Sequence, residues 1–445
     1  MTKIIKILFV LLFISSLTTV VASCEEQYNH IWSAESSDPQ SGIWFGYHFD
    51  IAEDYIITNE HKGSVDDIST AGTVYLYDLE GNLINTIQSP NPDEANEFGR
   101  YLDTYEDLIA LSEWGAHING VKWVGKVYVF NDKGTLQYTL QPEKLYLSAN
   151  FGSSVEFGDE LLLISERGVE LSPPSPGMVH IYKHDGEYVN TIYSPEPKPD
   201  GSFGSSMEIG AEHIYLAQDE SVYIYDLEGV LVNTIQAPEP APAWTLWNGS
   251  FGNSIDVSGD ILVVGEMDAR VNGVERVGKV HIYSAEGEFL RTLLSPNPDT
   301  NALFGFDVAI SGDIIVVGEM QADIAPFLNE GKAYVFNVDG TLLQNLTAPE
   351  PTPRGAYGYA IDIQDDIMLI GEGWAVVEGH SNCGRIHFYK LGAPVEVQEQ
   401  VEETTLETDE PDADGNGWIP GYPLESLVLG LASIVLISYL YQRKR

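Results

Sequence analysis

The sequence predicts an all-β fold: a seven-bladed β-propeller of four-stranded antiparallel blades, with a signal peptide before it and a C-terminal transmembrane helix after it. Three observations lead there. A Phe-Gly dipeptide, once Tyr-Gly, recurs at Phe45-Gly46, Phe98-Gly99, Phe151-Gly152, Phe203-Gly204, Phe251-Gly252, Phe304-Gly305 and Tyr357-Gly358. The successive intervals are 53, 53, 52, 48, 53 and 53 residues. Each unit contains several short β-type runs, and a period of about 50 residues built that way marks a propeller rather than a solenoid.

The fifth unit, Phe251 to Pro298, shows how one blade is encoded. A strand begins at Gly252, with Ile255 and Val257 alternating inward, and Gly259-Asp260 makes a tight turn. The second strand, Ile261 to Gly265, is apolar throughout, as expected where both faces are covered. A long polar loop follows, then the third strand from Gly278 to Tyr283, a turn at Ala285–Gly287, and the fourth strand from Phe289 to Leu294. One such meander cannot bury both faces alone, whereas seven packed around an axis can.

The seventh unit lacks a fourth strand after Gly384–Lys390. The missing piece stands at the other end, where Tyr28–Trp32 and the polar run to Pro39 match the fourth-strand segments that begin at Asn190 and Asn233. The N-terminal strand is therefore expected to complete blade seven, closing the ring and removing the sheet edge that an open array would present.

From Phe45 to about Lys390 the units resemble FG-GAP repeats, the blades of integrin α-subunit propellers and of many microbial surface proteins. The residues that carry the resemblance are the Phe-Gly starts, the second strands ending Val263-Val264-Gly265, Val316-Val317-Gly318 and Leu369-Ile370-Gly371, and third strands of the Gly125–Phe130 type. Integrin-type blades often carry a calcium loop, D-x-D-x-D-G, between their first two strands. Here that connection is a short turn such as Ser258-Gly259-Asp260, so calcium sites of that kind do not carry over. No cofactor is required by this reading, and calcium enters only through other acidic groups.

The chain divides into a signal peptide (1–23), the propeller (24–392), an acidic linker (393–418), a transmembrane anchor (419–442) and a basic cytoplasmic tail (443–445). Lys3 and Lys6 precede the apolar run Ile7–Ile14, as in secretory signals. Val21–Cys24 also has the form of a lipobox in which Cys24 would be lipidated. The run Leu427–Tyr441 is short against the roughly 20 residues of a spanning helix, and Arg443-Lys444-Arg445 sets its end inside. Pro-Gly-Tyr, an apolar run and a basic tail together resemble the C-terminal sorting signals of archaeal surface proteins, with Tyr422 where the usual aromatic is Phe. The expected location is the cell surface, with a monomeric propeller outside the membrane. A net charge of -45 excludes nucleic acid as a partner and favours cations, basic partners and a salty medium.

Hairpin alternation places the second-to-third-strand loops and the blade-to-blade connections on one face. The long loops Glu113–Val124, Glu166–Pro176, Glu266–Val277, Glu319–Glu330 and Glu372–Cys383 are all of this kind. The candidate ligand-binding residues on that face are Trp114, His117, Trp123, Arg167, Trp244, Trp247, Trp374 and His380, with Trp44, His61, Arg270 and Arg276 beside them. Exposed aromatics there suit sugar or protein recognition, or else pack down as loop anchors.

Fifteen positions after each blade-opening aromatic stands a Glu: Glu60, Glu113, Glu166, Glu266, Glu319 and Glu372, with Gln218 in blade four. These form either a ring of carboxylates for cations or a repeated hydrogen-bonding device of the blade. A second acidic series, Asp50, Asp103, Glu156, Glu208, Asp256 and Asp362, lies on the innermost strands and either makes the central channel electronegative or satisfies neighbouring backbone. His180, His281 and His387 share one slot with Tyr75, Tyr128, Tyr223 and Tyr334, which reads as inter-blade packing. Asp412, Asp414 and Asn416 match the start of an EF-hand-type loop whose twelfth position is Pro423 instead of Glu. Asn248 and Asn345 head glycosylation sequons.

Together these features point to a surface-anchored binding or adhesion module for extracellular glycan or protein. The alternatives are a propeller enzyme acting on polysaccharide, with acids such as Glu113 or Glu372 near His117 or His380, and a structural component of the cell envelope.

Overall fold

The computed structural model describes residues 27–93, 95–167, 177–197, 203–239, 250–324 and 328–392. These hold 28 strands in seven four-stranded antiparallel sheets. Blade one is typical: Phe45–Ile51, Tyr55–Glu60, Thr73–Asp78 and Leu83–Gln88 pair in chain order. In blade five the strands are Phe251–Ser258, Ile261–Glu266, Lys279–Ser284 and Phe289–Leu294, within a residue of the sequence reading at nearly every end. The signal peptide, linker and anchor segments, with Cys24, Asp412, Asp414 and Asn416, lie outside the described residues.

The ring closes as expected. Gln27–Glu35 pairs antiparallel with Arg385–Gly392, from Gln27↔Gly392 to Glu35↔Arg385. The closing strand also grips both neighbouring blades. Tyr28 N–H donates to Gln344 Oε1 and Gln344 Nε2 donates to Tyr28 O, each at 2.9 Å, on the blade-six side. Trp32 stacks on Phe388 at 5.0 Å and its Nε1 donates to Leu79 O of blade one at 3.0 Å.

One contact recurs at the seams and explains two sequence motifs at once. The blade-opening aromatic donates its N–H to the carbonyl just before the glycine that opens the previous blade's third strand. Phe151 bonds Val124 O at 2.7 Å, Phe304 bonds Val277 O at 2.8 Å, Tyr357 bonds Glu330 O at 2.8 Å and Phe45 bonds Cys383 O at 2.7 Å. The glycines beside these carbonyls, Gly125, Gly278, Gly331 and Gly384, have φ of +83° to +89°, and a Cβ on any of them would overlap the backbone of the incoming aromatic. The glycine of the Phe-Gly pair meets the same constraint from the other side: Gly305 has φ +79° and lies against Lys279 O and the Val280 side chain. Only a residue without Cβ allows two backbones this close.

Behind the clasp, the aromatic ring is fully buried between two blades. Phe98 packs with Val74, Leu76 and Ile87 of blade one and Leu111 and Tyr128 of its own blade. Burying such a ring contributes about 2–3 kcal/mol. In every blade it lies against the Tyr/His slot, with ring centroids from 5.4 Å (Phe151–His180) to 6.1 Å (Phe203–Tyr223).

Gly278→Ala is expected to lower stability by at least about 2 kcal/mol, because it adds both a positive-φ side chain and a backbone clash. Gly273→Ala, at φ +85° with open space around it, should cost only about 1 kcal/mol. Denaturant unfolding of the two variants separates the close approach from the backbone conformation; equal losses would refute the clasp.

Candidate binding site at the mouth of the central channel

The repeated Glu positions are buried and belong each to its own blade. Glu113 accepts from Ser89 Oγ (2.5 Å) and Tyr128 OH (3.0 Å), and Glu319 from Tyr334 OH (2.8 Å). Glu166 and Glu266 meet His180 Nε2 and His281 Nε2 at 2.9 and 2.8 Å. Glu372 accepts from Thr352 Oγ1 at 2.6 Å and lies 3.4 Å from His387 Nε2. Gln218 does the same work in blade four, accepting from Ser194 Oγ at 2.6 Å. Glu60 is held to Tyr75 OH at 3.4 Å, and burial pushes its carboxyl up to about 7. These carboxylates do not converge. Among the described residues no three His, Cys, Asp or Glu side chains gather to hold a metal ion. Nor do the acid–histidine pairs named for an enzyme form: Glu113 and Glu372 bond the groups above rather than His117 or His380.

The innermost strands line a channel, which holds a cavity of about 470 Å³. The aspartates of the second acidic series satisfy backbone of the neighbouring blade there. Asp50 accepts from Thr104 N–H at 2.8 Å, Asp103 from Phe157 N–H at 2.5 Å, Asp256 from Ile310 N–H at 2.6 Å and Asp362 from Ile51 N–H at 2.9 Å, each reaching the next blade. Blade six has Ala309 in this slot and uses Asp307 instead, which accepts from Ile361 N–H at 2.7 Å. Enclosure raises the carboxyls: burial comes first for all of them, with mutual repulsion added at Asp103, Glu156, Glu208 and Asp362. Asp256 is pushed up to about 7 and Asp307 to about 6, each by burial against the pull of its N–H bonds.

The wall of this cavity is aromatic on one side and hydroxylic on the other. The second residue after the blade-opening aromatic is Phe306, Tyr359, Tyr47 and Arg100 in blades six, seven, one and two, but Ser153, Ser205 and Asn253 in blades three to five. Tyr47 lies 5.2 Å from Tyr359, 4.9 Å from His48 and 4.6 Å from His61; Phe306 and Tyr359 are 5.2 Å apart. The Arg100 guanidinium sits 4.7 Å over the Trp114 ring and pairs with Glu97. Beside it, Arg100, Tyr101, Trp114, Ser153, Arg167, Phe203 and Ser205 enclose a second pocket of about 150 Å³. His61 is fully buried with no hydrogen-bond partner for either ring nitrogen among the described residues, and burial, then Arg100, His48 and Lys62, hold it well below the usual histidine range.

The sequence-named residues thus separate. Trp114 and Arg167 share the smaller pocket, and Trp374 joins the aromatic wall 6.4 Å from Tyr359. Trp44 stands 5.3 Å from Tyr47 with Lys62 4.0 Å over its ring. His117 and the exposed Trp123 pair with each other at 6.4 Å, and His380 is exposed on its own loop. Arg270 pairs with Glu275 and Arg276 with Asp268. Asn345 is exposed on the outer strand of blade six. Trp244, Trp247 and Asn248 lie outside the described residues. Tyr47, His48, Arg100, Tyr101, Phe306 and Tyr359 went unnamed; their signal was a repeat slot alternating between aromatic and Ser within an otherwise constant pattern.

This chain is a seven-bladed β-propeller, and the comparisons with known proteins agree with that fold. Residues 290–336 match the family model of the FG-GAP repeat. The WD40 domain of Neurospora crassa Pan2 has a similar fold, with a TM-score of 0.52 at 11% identity, over 84% of this chain and 98% of that one. No curated protein matches the sequence.

Two outcomes are expected. Glu113→Gln should cost under about 1 kcal/mol, since Gln218 fills the same role, whereas Glu113→Ala should cost roughly 2–4 kcal/mol by orphaning Ser89 and Tyr128; thermal unfolding distinguishes them. The channel carboxyls, raised in the folded state, bind protons that the unfolded chain has released between about pH 4 and 7, so stability falls as pH rises through that window. Enclosed His48 and His61, held low, work in the opposite sense below about pH 6.5, so in 1 M salt, which screens surface charge, the melting temperature should drop from about pH 7 to 8, and Asp256→Asn should flatten the drop; an unchanged slope would count against the channel as its origin.

Proposed function

We propose that this protein is a non-enzymatic binding module at the cell surface, taking extracellular glycan or protein on its loop-bearing face. A propeller carrying an FG-GAP repeat is consistent with a binding module. The observation that carries the finer reading is the aromatic wall beside the Arg100–Trp114 stack: planar rings with a cation and hydroxyls at the mouth of a rigid channel suit sugar faces and amphipathic side chains. In this reading the propeller stands outside the membrane, held by the C-terminal apolar run, acts as a monomer and needs no cofactor.

A second reading, a structural envelope component, draws on the outermost strands, which expose Leu83, Ile84, Val189, Val232 and Leu290 around the rim. Retention of the propeller segment (25–392), which contains every strand of the ring, on a panel of polysaccharides and envelope fractions decides between them. A glycan binder should be retained on a defined member, with at least about a tenfold loss for Trp114→Ala or Trp374→Ala at unchanged melting temperature. No retention on any glycan would shift the assignment to a protein partner or to the envelope.

A further inference from the structure

Two guanidiniums share a pocket that no acid lines. Arg100 of blade two and Arg167 of blade three both border the pocket of about 150 Å³, with Trp114, Tyr101, Ser153 and Ser205 around them. The chain carries 67 Asp and Glu against 22 Lys and Arg, so a concave site with two cations and no carboxylate runs against its composition. The channel cavity that shares Tyr101 and Ser205 with this pocket is the reverse, lined by carboxyls and by no Lys or Arg. Arg100 is fixed in place: its guanidinium lies 4.7 Å over the Trp114 ring and pairs with Glu97, which does not line the pocket. Its Nε is buried with no acceptor among the described residues. Arg167 is exposed, and among those residues its guanidinium has neither a carboxylate nor another hydrogen-bond partner. Arg270, Arg276 and Arg385, by contrast, each pair with an acid.

A guanidinium without a carboxylate partner offers a planar fork of N–H donors, and that fork matches a carboxylate. We propose that this pocket binds the carboxylate of a uronic acid unit in an acidic polysaccharide. Arg167 takes the carboxylate, with Arg100 held beside it on the Trp114 ring. The Ser153 and Ser205 hydroxyls, which donate and accept, suit the hydroxyls of a sugar. Trp114 and Tyr101 supply flat amphipathic surface for its ring. The volume falls below the roughly 300–1,000 Å³ of pockets for drug-sized ligands, which suits one sugar unit rather than a length of peptide. The acid-lined channel next to it disfavours the same carboxylate, so the charge of the ligand is directed to the arginines. This inference rests on the glycan reading proposed above and narrows it to an anionic class.

Isothermal titration of the purified full chain tests it, with tri-galacturonate and a hyaluronan tetrasaccharide as uronate probes, their methyl esters as neutral counterparts, and triglutamate as an acidic peptide. At least one uronate is expected to bind at least about tenfold more tightly than its ester. Arg167→Gln, at unchanged melting temperature, should lower affinity for that uronate at least about tenfold and leave affinity for the ester unchanged. Arg291→Gln, on the outer strand of blade five, removes the same charge elsewhere and should leave affinity for both unchanged. The comparison of acid with ester needs no variant, so it still decides if Arg167→Gln melts early. Equal affinity for acid and ester, no binding of either uronate, triglutamate bound as tightly as the uronate, or undiminished binding in folded Arg167→Gln overturns the inference. In those cases retention on a neutral polysaccharide through Trp114 leaves the glycan reading standing, whereas retention on no polysaccharide removes both.

Discussion

The close approach of backbones at the blade seams is the constraint on which the rest depends. An aromatic N–H reaches the carbonyl before a glycine of the preceding blade, and the glycines on both sides give up their Cβ so that the chains can meet. That distance sets where the ring of the aromatic falls, between two sheets and against the Tyr/His slot. It also sets the register of the innermost strands, and so brings each channel aspartate opposite the next blade's N–H. The hydrophobic effect supplies the driving force, but it is non-directional; the glycine clasps and the aspartate ties fix the geometry of the seams at which they occur.

The interior is unusually polar for a packed core, and it is polar in a regular way. Each buried Glu or Gln of the second strand has a hydroxyl or imidazole partner supplied by the third strand or by the Ser-Pro connection. Buried acceptors with partners specify one arrangement of a blade, because any slip would strand them. Gln218 shows that the hydrogen bond, rather than the charge, is what the position requires. A functional residue is therefore not identified by being acidic and repeated; it is identified where the repeat fails.

Those failures are concentrated around the axis. Blades six, seven, one and two bring aromatic and basic side chains to the channel mouth, and blades three to five bring Ser and Asn. The first strands of blades three and four are also short, Val155–Phe157 and Met207–Ile209, and these are the strands that carry Glu156 and Glu208. The ring thus has a scaffold of near-sevenfold regularity and an asymmetric cavity on its axis, which is how a propeller acquires a site without disturbing its frame.

Sequence by itself determined the blade count, the four-stranded meander, the closing role of Tyr28–Trp32 and the identity of the loop-bearing face, because each follows from periodicity and hairpin alternation, which are local and repeat seven times. It left the buried Glu series and the channel acids as open pairs of readings, since a carboxylate's role depends on which donors arrive from other strands and other blades, 15 residues away for Tyr128 in the same blade and 54 for Thr104 in the next. It ranked Trp114, His117, Trp123 and His380 together because they share loops, whereas folding gathers Trp114 with Arg100 and Arg167 and leaves His380 alone. Residues two and three places after the Phe-Gly start read as ordinary strand positions in any one blade. Only the closed ring brings residues of all seven blades to one axis, where they become the wall of one cavity.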